Sequence, residues 1–172
     1  MPLDLTRPFR PVQLAVLTVS DTRTLADDTS GGTLVALAEA AGHVVTQRAL
    51  AVDDADLIVE LLHSWLGRED VEVVIITGGT GVTARDVTPE AVRRVADKEI
   101  PGFGELFRWL SFQSVGTSTI QSRALAVVAA HKLVFALPGS TGAVKDAWAG
   151  ILVHQLDIRH RPCNFVELLP RM

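Results

Sequence analysis

Two stretches, VQLAVLTV (12–19) and VEVVIIT (71–77), are apolar at nearly every position, so as strands both of their faces need covering. A mostly parallel sheet sandwiched between helices meets that need, and its strands read as continuous apolar runs. The segments between them carry the other half of the pattern. Leu34, Leu37, Ala38 and Ala41 recur at i, i+3, i+4, i+7 ahead of Gly42, which predicts a helix with a glycine stop. HVVTQRALAV (43–52) reads as a second strand of mixed character, nearer an edge. Asp53 and Asp54 open a helix whose core residues are Ile58, Leu61, Leu62 and Trp65, with Gly67 just past its end. Thr88-Pro89 predicts a further helix start, with Thr as cap and Pro at the first helical position. Phe103, Leu106, Phe107 and Leu110 mark one face of the next helix. SRALAVVAAHKLVFALPG (122–139) is read as two strands joined at His131-Lys132, and the last long helix starts near Ser140 and carries Val144, Trp148, Ile151 and Leu152. Strands alternating with helices predict a three-layer α/β/α sandwich with a mostly parallel sheet.

The 172 residues suit one domain, 12–172, preceded by an extended arm, MPLDLTRPFRP (1–11), whose charges and three prolines replace the apolar core of a signal peptide. A formal charge of −4 without any basic run argues against nucleic acid as the main partner. No apolar stretch reaches the roughly 18 residues of a membrane span. Cys163 is the single cysteine, so no intrachain disulfide can form and a cytoplasmic location is expected.

In a sheet of this kind ligands gather beyond the carboxyl ends of the strands. Three loops meet that rim: the one after Val19, the one after Ile76 and the one after Leu137. The second, TGGTGVTARDVTPEA (77–91), is the most informative. Glycines let a ligand approach the backbone, and successive free amides before a helix form an anion nest. Gly78, Gly79, Thr80 and Gly81 therefore suit a phosphate, although a tight turn with nothing bound is the plainer alternative. Neither a Walker A loop nor a dinucleotide fingerprint is present. PGST (138–141) repeats the arrangement with a Ser-capped helix, and two such loops suggest a ligand with more than one phosphate.

Asp86, beside the glycines, would repel phosphate unless a cation lay between them, and Mg²⁺ suits that role. Asp53 is the candidate for a second carboxylate at the rim. Each has a plainer role open to it, Asp53 as a helix N-cap and Asp86 as an Asx-turn residue. Asp21, Asp27 and Asp28 fit capping and loop solvation. The five histidines (His43, His63, His131, His154, His160) lack metal-site spacing, Cys163 has no basic partner, no G-x-S-x-G elbow occurs, and Ser122-Arg123 is a weak anion signal.

TVSDTR, DDTSGG, TGGTG, RDVTPEA, PGFGELFR, GTSTIQSRA and ALPGST occur in this order, followed by the tail QLDIRHRPCNF. Together they resemble the family of molybdenum cofactor biosynthesis protein B and molybdopterin adenylyltransferase, and the tail resembles the protein B branch. The resemblance implies a mixed sheet with one antiparallel strand and assembly as a homotrimer or a pair of trimers. It also implies Mg²⁺-dependent adenylylation of molybdopterin by ATP, with the product passing to a downstream molybdenum-insertion enzyme. On that resemblance Asp53 and Asp86 are the catalytic and metal-binding positions. Gly78, Gly79, Thr80 and Gly81 form the phosphate cradle, and Ser30, Gly31, Ser122, Pro138, Gly139 and Ser140 line the pocket. RDVTPEA favours turnover, whereas Val52 stands where the adenylyltransferases usually carry proline. The competing expectations are a molybdopterin-binding scaffold without turnover and an unrelated nucleotide-dependent regulator.

Overall fold

The computed structural model describes residues 3–172. Its elements are β1 (Gln13–Val19), α1 (Thr29–Ala40), β2 (Val44–Ala51), α2 (Ala55–Leu66), β3 (Val73–Thr77), α3 (Thr88–Val95), β4 (Lys98–Glu99), α4 (Pro101–Val115), β5 (Leu125–Ala129), β6 (Lys132–Leu137) and α5 (Thr141–Ala147). A 3₁₀ stretch, Gly116–Gln121, links α4 to β5. A π-helical turn, Trp148–Leu152, carries α5 into α6 (Val153–Gln155).

The six strands form one sheet in the order β2-β1-β3-β6-β5-β4. Strands β2, β1, β3 and β6 are parallel neighbours, while β5 pairs antiparallel with both β6 and β4. Strand β5 is thus the one strand that runs against the others, as expected. Its tight link to β6 is the two-residue turn Ala130-His131, both at positive φ (46° and 63°), the conformation that matches the twist of a hairpin. The junction therefore falls one residue before the expected His131-Lys132. The edge position expected for 43–52 holds, with β2 outermost and half-buried along its length.

Side-chain alternation sorts the central strands onto two cores. Leu14 and Val16, Val73 and Ile75, and Leu133, Phe135 and Leu137 face α1, α4 and α5. Ala15, Leu17 and Val19, Val74 and Ile76, and Val134 and Ala136 face α2 and α3. This is the three-layer sandwich the apolar runs required. Trp65, Phe103, Phe107 and Trp148 are all buried on helix core faces. Leu106, expected beside them, is instead exposed; Gly104 takes the inward position, where a Cβ would lie 2.5 Å from the Ala124 carbonyl.

The described part of the arm, from residue 3, lies on the chain's own C-terminal segment. Asp4 N–H donates to the Arg159 carbonyl, Arg7 pairs with Glu167, and the Arg159 guanidinium sits over the Phe9 ring.

Candidate functional site

Strands β1, β3 and β6 end at one rim, and close backbone packing fixes the loops that leave them. Gly78 has φ of 112°, and a Cβ there would lie 2.1 Å from the Val19 carbonyl oxygen. Its N–H donates to the Leu137 carbonyl, and the Thr77 hydroxyl donates to the Pro138 carbonyl. A Cβ on Gly139 would meet Gly78 Cα at 3.2 Å. The two phosphate-suited loops of the sequence are therefore neighbours, with glycine against glycine at the contact.

Helix α3 begins one residue earlier than its sequence suggests. Val87 is the cap position, Thr88 is the first helical residue, and the Thr88 hydroxyl donates to the Gly78 carbonyl at 2.9 Å rather than capping. A cap would need that oxygen as an acceptor. Here it is used to tie the helix to the glycine turn.

The two aspartates lie together. Asp54, not Asp53, caps α2, accepting from the Asp56 and Leu57 amides. That leaves the Asp53 carboxylate half-buried against Gly79, where a Cβ would come within 2.8 Å of it. Among the described residues no donor reaches its oxygens, and burial, followed by the nearby Asp86 charge, pushes its pKa up. Asp86 is different. Its Oδ1 accepts from the Gly81 N–H at 2.9 Å and its Oδ2 from the Thr83 N–H and hydroxyl at 2.8 and 2.6 Å. Burial opposes its charge, but the Thr83 hydroxyl and the Gly81 and Thr83 amides outweigh that and lower its pKa. Asp86 is therefore no Asx-turn residue: its carboxylate accepts from amides that precede it, and the amide two residues on, of Thr88, donates to the Gly79 carbonyl; the capping role left open for Asp53 belongs to its neighbour.

Both carboxylates line a cavity of about 500 Å³ with Asp21, Arg23, Gly78, Gly79, Arg85 and Gly139. A second hollow of about 320 Å³ lies along the other half of the glycine loop; Thr80, Gly81, Ser122, Pro138 and Ser140 line it with Phe107 and Asp146. Ten of the twelve sequence-derived site residues thus border two cavities on one rim. Ser30 and Gly31 line neither. They belong to the buried first turn of α1, where Gly31 N–H donates to Asp28 and a Cβ on Gly31 would lie 2.1 Å from Asp28 Oδ2. The cradle is also narrower than its four residues suggested. The amides of Gly78 and Gly81 are taken by Leu137 and Asp86, whereas those of Gly79 and Thr80 meet no acceptor among the described residues.

Two arginines of the site escaped the sequence reading, and a third, in the weak Ser122-Arg123 signal, has a structural role. Arg23 and Arg85 stand in the acidic cavity, Arg85 paired with Asp21. Arg123 donates to the Gly81 and Asp86 carbonyls and pairs with Glu90, so it clamps the loop rather than offering itself to an anion. For Arg23 and Arg85 the available signal was their position in rim loops. Among the described residues no three His, Cys, Asp or Glu side chains are spaced to hold a metal ion by themselves.

The fold is thus a three-layer α/β sandwich whose strand ends carry two neighbouring carboxylates and two glycine loops. The family model described as "Probable molybdopterin binding domain" matches residues 15–158. The molybdenum cofactor biosynthesis protein B of Escherichia coli K12 is 50% identical over 157 residues, covering 91% of this chain and 92% of that protein. A crystal structure of a molybdenum cofactor biosynthesis protein B superposes with a TM-score of 0.85 at 43% identity, over 87% of this chain and 94% of that one. A tungsten cofactor synthesizing protein from Pyrococcus furiosus follows at 0.74 and 32%, over 83% and 91%. The chain belongs to the molybdenum cofactor biosynthesis protein B family.

Proposed function

We propose that the protein works in molybdenum cofactor biosynthesis and joins molybdopterin to the AMP part of ATP with release of pyrophosphate. The observation that carries this reading is the pairing of Asp53, half-buried and without a hydrogen-bond donor among the described residues, with Asp86, held by its own loop, in one cavity beside Gly78 and Gly79.

The donor set fits Mg²⁺. This cation is commonly held by one or two carboxylates, with phosphate oxygens and waters completing an octahedron. Asp53 and Asp86 would hold it, and when bound it supplies charge neutralisation at the triphosphate. The chain's own groups do the rest. The Gly79 and Thr80 amides hold a phosphate oxygen, and the hollows on the two halves of the glycine loop suit two substrates. An oxygen of the molybdopterin phosphate forms a bond to the α-phosphorus of ATP. The bond from that phosphorus to its bridging oxygen breaks, and the electron pair leaves on pyrophosphate. A phosphate dianion needs no strong base, so positioning and preorganised electrostatics carry the rate. Assembly as a homo-oligomer is part of the same reading, and exposed Trp109, Phe112, Val115 and Ile120 offer apolar surface for it.

A second reading, a molybdopterin-binding scaffold without turnover, draws on Asp86, whose two oxygens are already satisfied inside its loop. One incubation with molybdopterin, ATP and Mg²⁺ separates the two. Adenylylated product and pyrophosphate are expected; bound pterin with no pyrophosphate supports the scaffold. Asp86→Ala is expected to abolish transfer while pterin binding stays measurable, and transfer near the wild-type rate in that variant refutes its catalytic role.

A further inference from the structure

The acidic cavity poses an electrostatic problem for any polyphosphate, because Asp21, Asp53 and Asp86 all line it. Of its two arginines, Arg85 is 72% exposed and committed to Asp21. Arg23 is held otherwise. Its side chain is about one-third exposed, and its Nη1 donates to the Ser30 hydroxyl at 2.7 Å. Ser30 is fully buried, and its hydroxyl donates in turn to Asp28 Oδ1 at 3.2 Å. That fixes the polarity of the chain: the serine proton goes to the carboxylate, and its lone pair faces the guanidinium.

Asp28 is itself enclosed and hydrogen-bonded. Its side chain is fully buried and accepts from the Thr18 hydroxyl (2.7 Å), the Gly31 amide (2.9 Å) and Arg48 (3.2 Å), with Arg23 Nη1 at 3.9 Å. Burial works against its charge, yet Thr18, Gly31, Arg48 and Ser30 together lower its pKa and keep it ionised. A permanent anion thus stands behind Arg23. The other N–H groups of the guanidinium meet no acceptor among the described residues, and Arg23 lines the cavity together with Gly78, Gly79 and Gly139. A guanidinium fork matches two oxygens of one phosphate group.

We propose that Arg23 binds the polyphosphate ligand of this cavity directly, and that Ser30 and Asp28 are positioning residues that act through it. The inference rests on the reading that the cavity receives a polyphosphate; it adds which cation meets that ligand and why Ser30, though off the cavity wall, matters to it.

The probe is inorganic pyrophosphate, titrated calorimetrically with and without Mg²⁺ into the full chain, with thermal melting to confirm the fold of each variant. Arg23→Met is expected to weaken binding about tenfold or more, as loss of a charge-assisted contact does. Arg23→Lys, which keeps the charge without the fork, falls between. Ser30→Ala weakens binding about threefold in the wild-type background and adds nothing once Arg23 is Met, the signature of coupled residues. Wild-type affinity in both folded Arg23 variants, or an undiminished Ser30 effect in the Arg23→Met background, overturns the proposal. The two readings fail separately. Pyrophosphate held through Arg23 by a protein that makes no adenylylated product leaves this inference standing and ends the adenylylation reading. AMP transfer with unchanged pyrophosphate affinity in Arg23→Met does the reverse.

Discussion

Two carboxylates at the same rim have opposite fates. Around Asp28 every direction is filled: a hydroxyl from β1, an amide and a hydroxyl from α1, and a guanidinium from β2. Around Asp53 none of the described residues donates, a second carboxylate stands nearby, and the wall opens to a cavity. Burial opposes charge in both. Donors outweigh burial and lower the pKa at Asp28, whereas at Asp53 burial is unopposed, the Asp86 charge adds to it, and the pKa rises. A carboxylate surrounded by donors serves the fold, and one left without them is available to something that arrives.

The sharpest way to break that contrast is to neutralise each in turn. Asp53→Asn should cut AMP transfer by about 10²–10³-fold or more, the scale of losing a preorganised electrostatic group, while the protein melts no lower than the wild type. Activity surviving that change would return Asp53 to an ordinary loop residue. Asp28→Asn should cost about 3 kcal/mol in denaturant unfolding, because Arg48 and Thr18 lose the buried charge they were folded around. A loss well under 1 kcal/mol would show that the closed network is dispensable.

The pH dependence sharpens the comparison, because the signs differ. The lowered pKa of Asp28 gives stability that is complete above about pH 4 and is lost as pH falls through the folded-state value below it. The raised pKa of Asp53 does the opposite: the folded state loses stability as pH climbs from about 4 through its folded-state value. Melting curves across that range should therefore show the Asp28→Asn deficit shrinking in acid. The Asp53→Asn advantage should appear only above about pH 4. The smallest effect is expected at Thr88→Val, about 1 kcal/mol for the lost bond to the Gly78 carbonyl, again by denaturant unfolding.

What the sequence made legible follows from how far each signal reaches. Apolar runs without polar alternation specified β1 and β3 as covered on both faces, because no other environment accommodates them. Strand β4 gave no such signal: it is two charged residues, Lys98 and Glu99, paired only because β5 presents an edge. The glycine loop announced a close approach, but its sequence could not say that Gly78 needs its space for Val19 and Gly139 rather than for a ligand. Asp53 and Asp54 are chemically alike and adjacent, and only the direction of α2 decides which one caps it. Ser30 and Gly31 carried a family pattern whose reason, a buried carboxylate behind Arg23, depends on Arg48 from another strand and has no local signature.

The contact of Gly78 with Gly139 has a mechanical consequence. Neither residue has a side chain that could cushion a displacement, so the two turns meet main chain against main chain. A methyl group added at Gly139 would press on Gly78 Cα, and the spacing of the two loops is therefore set by what is missing between them.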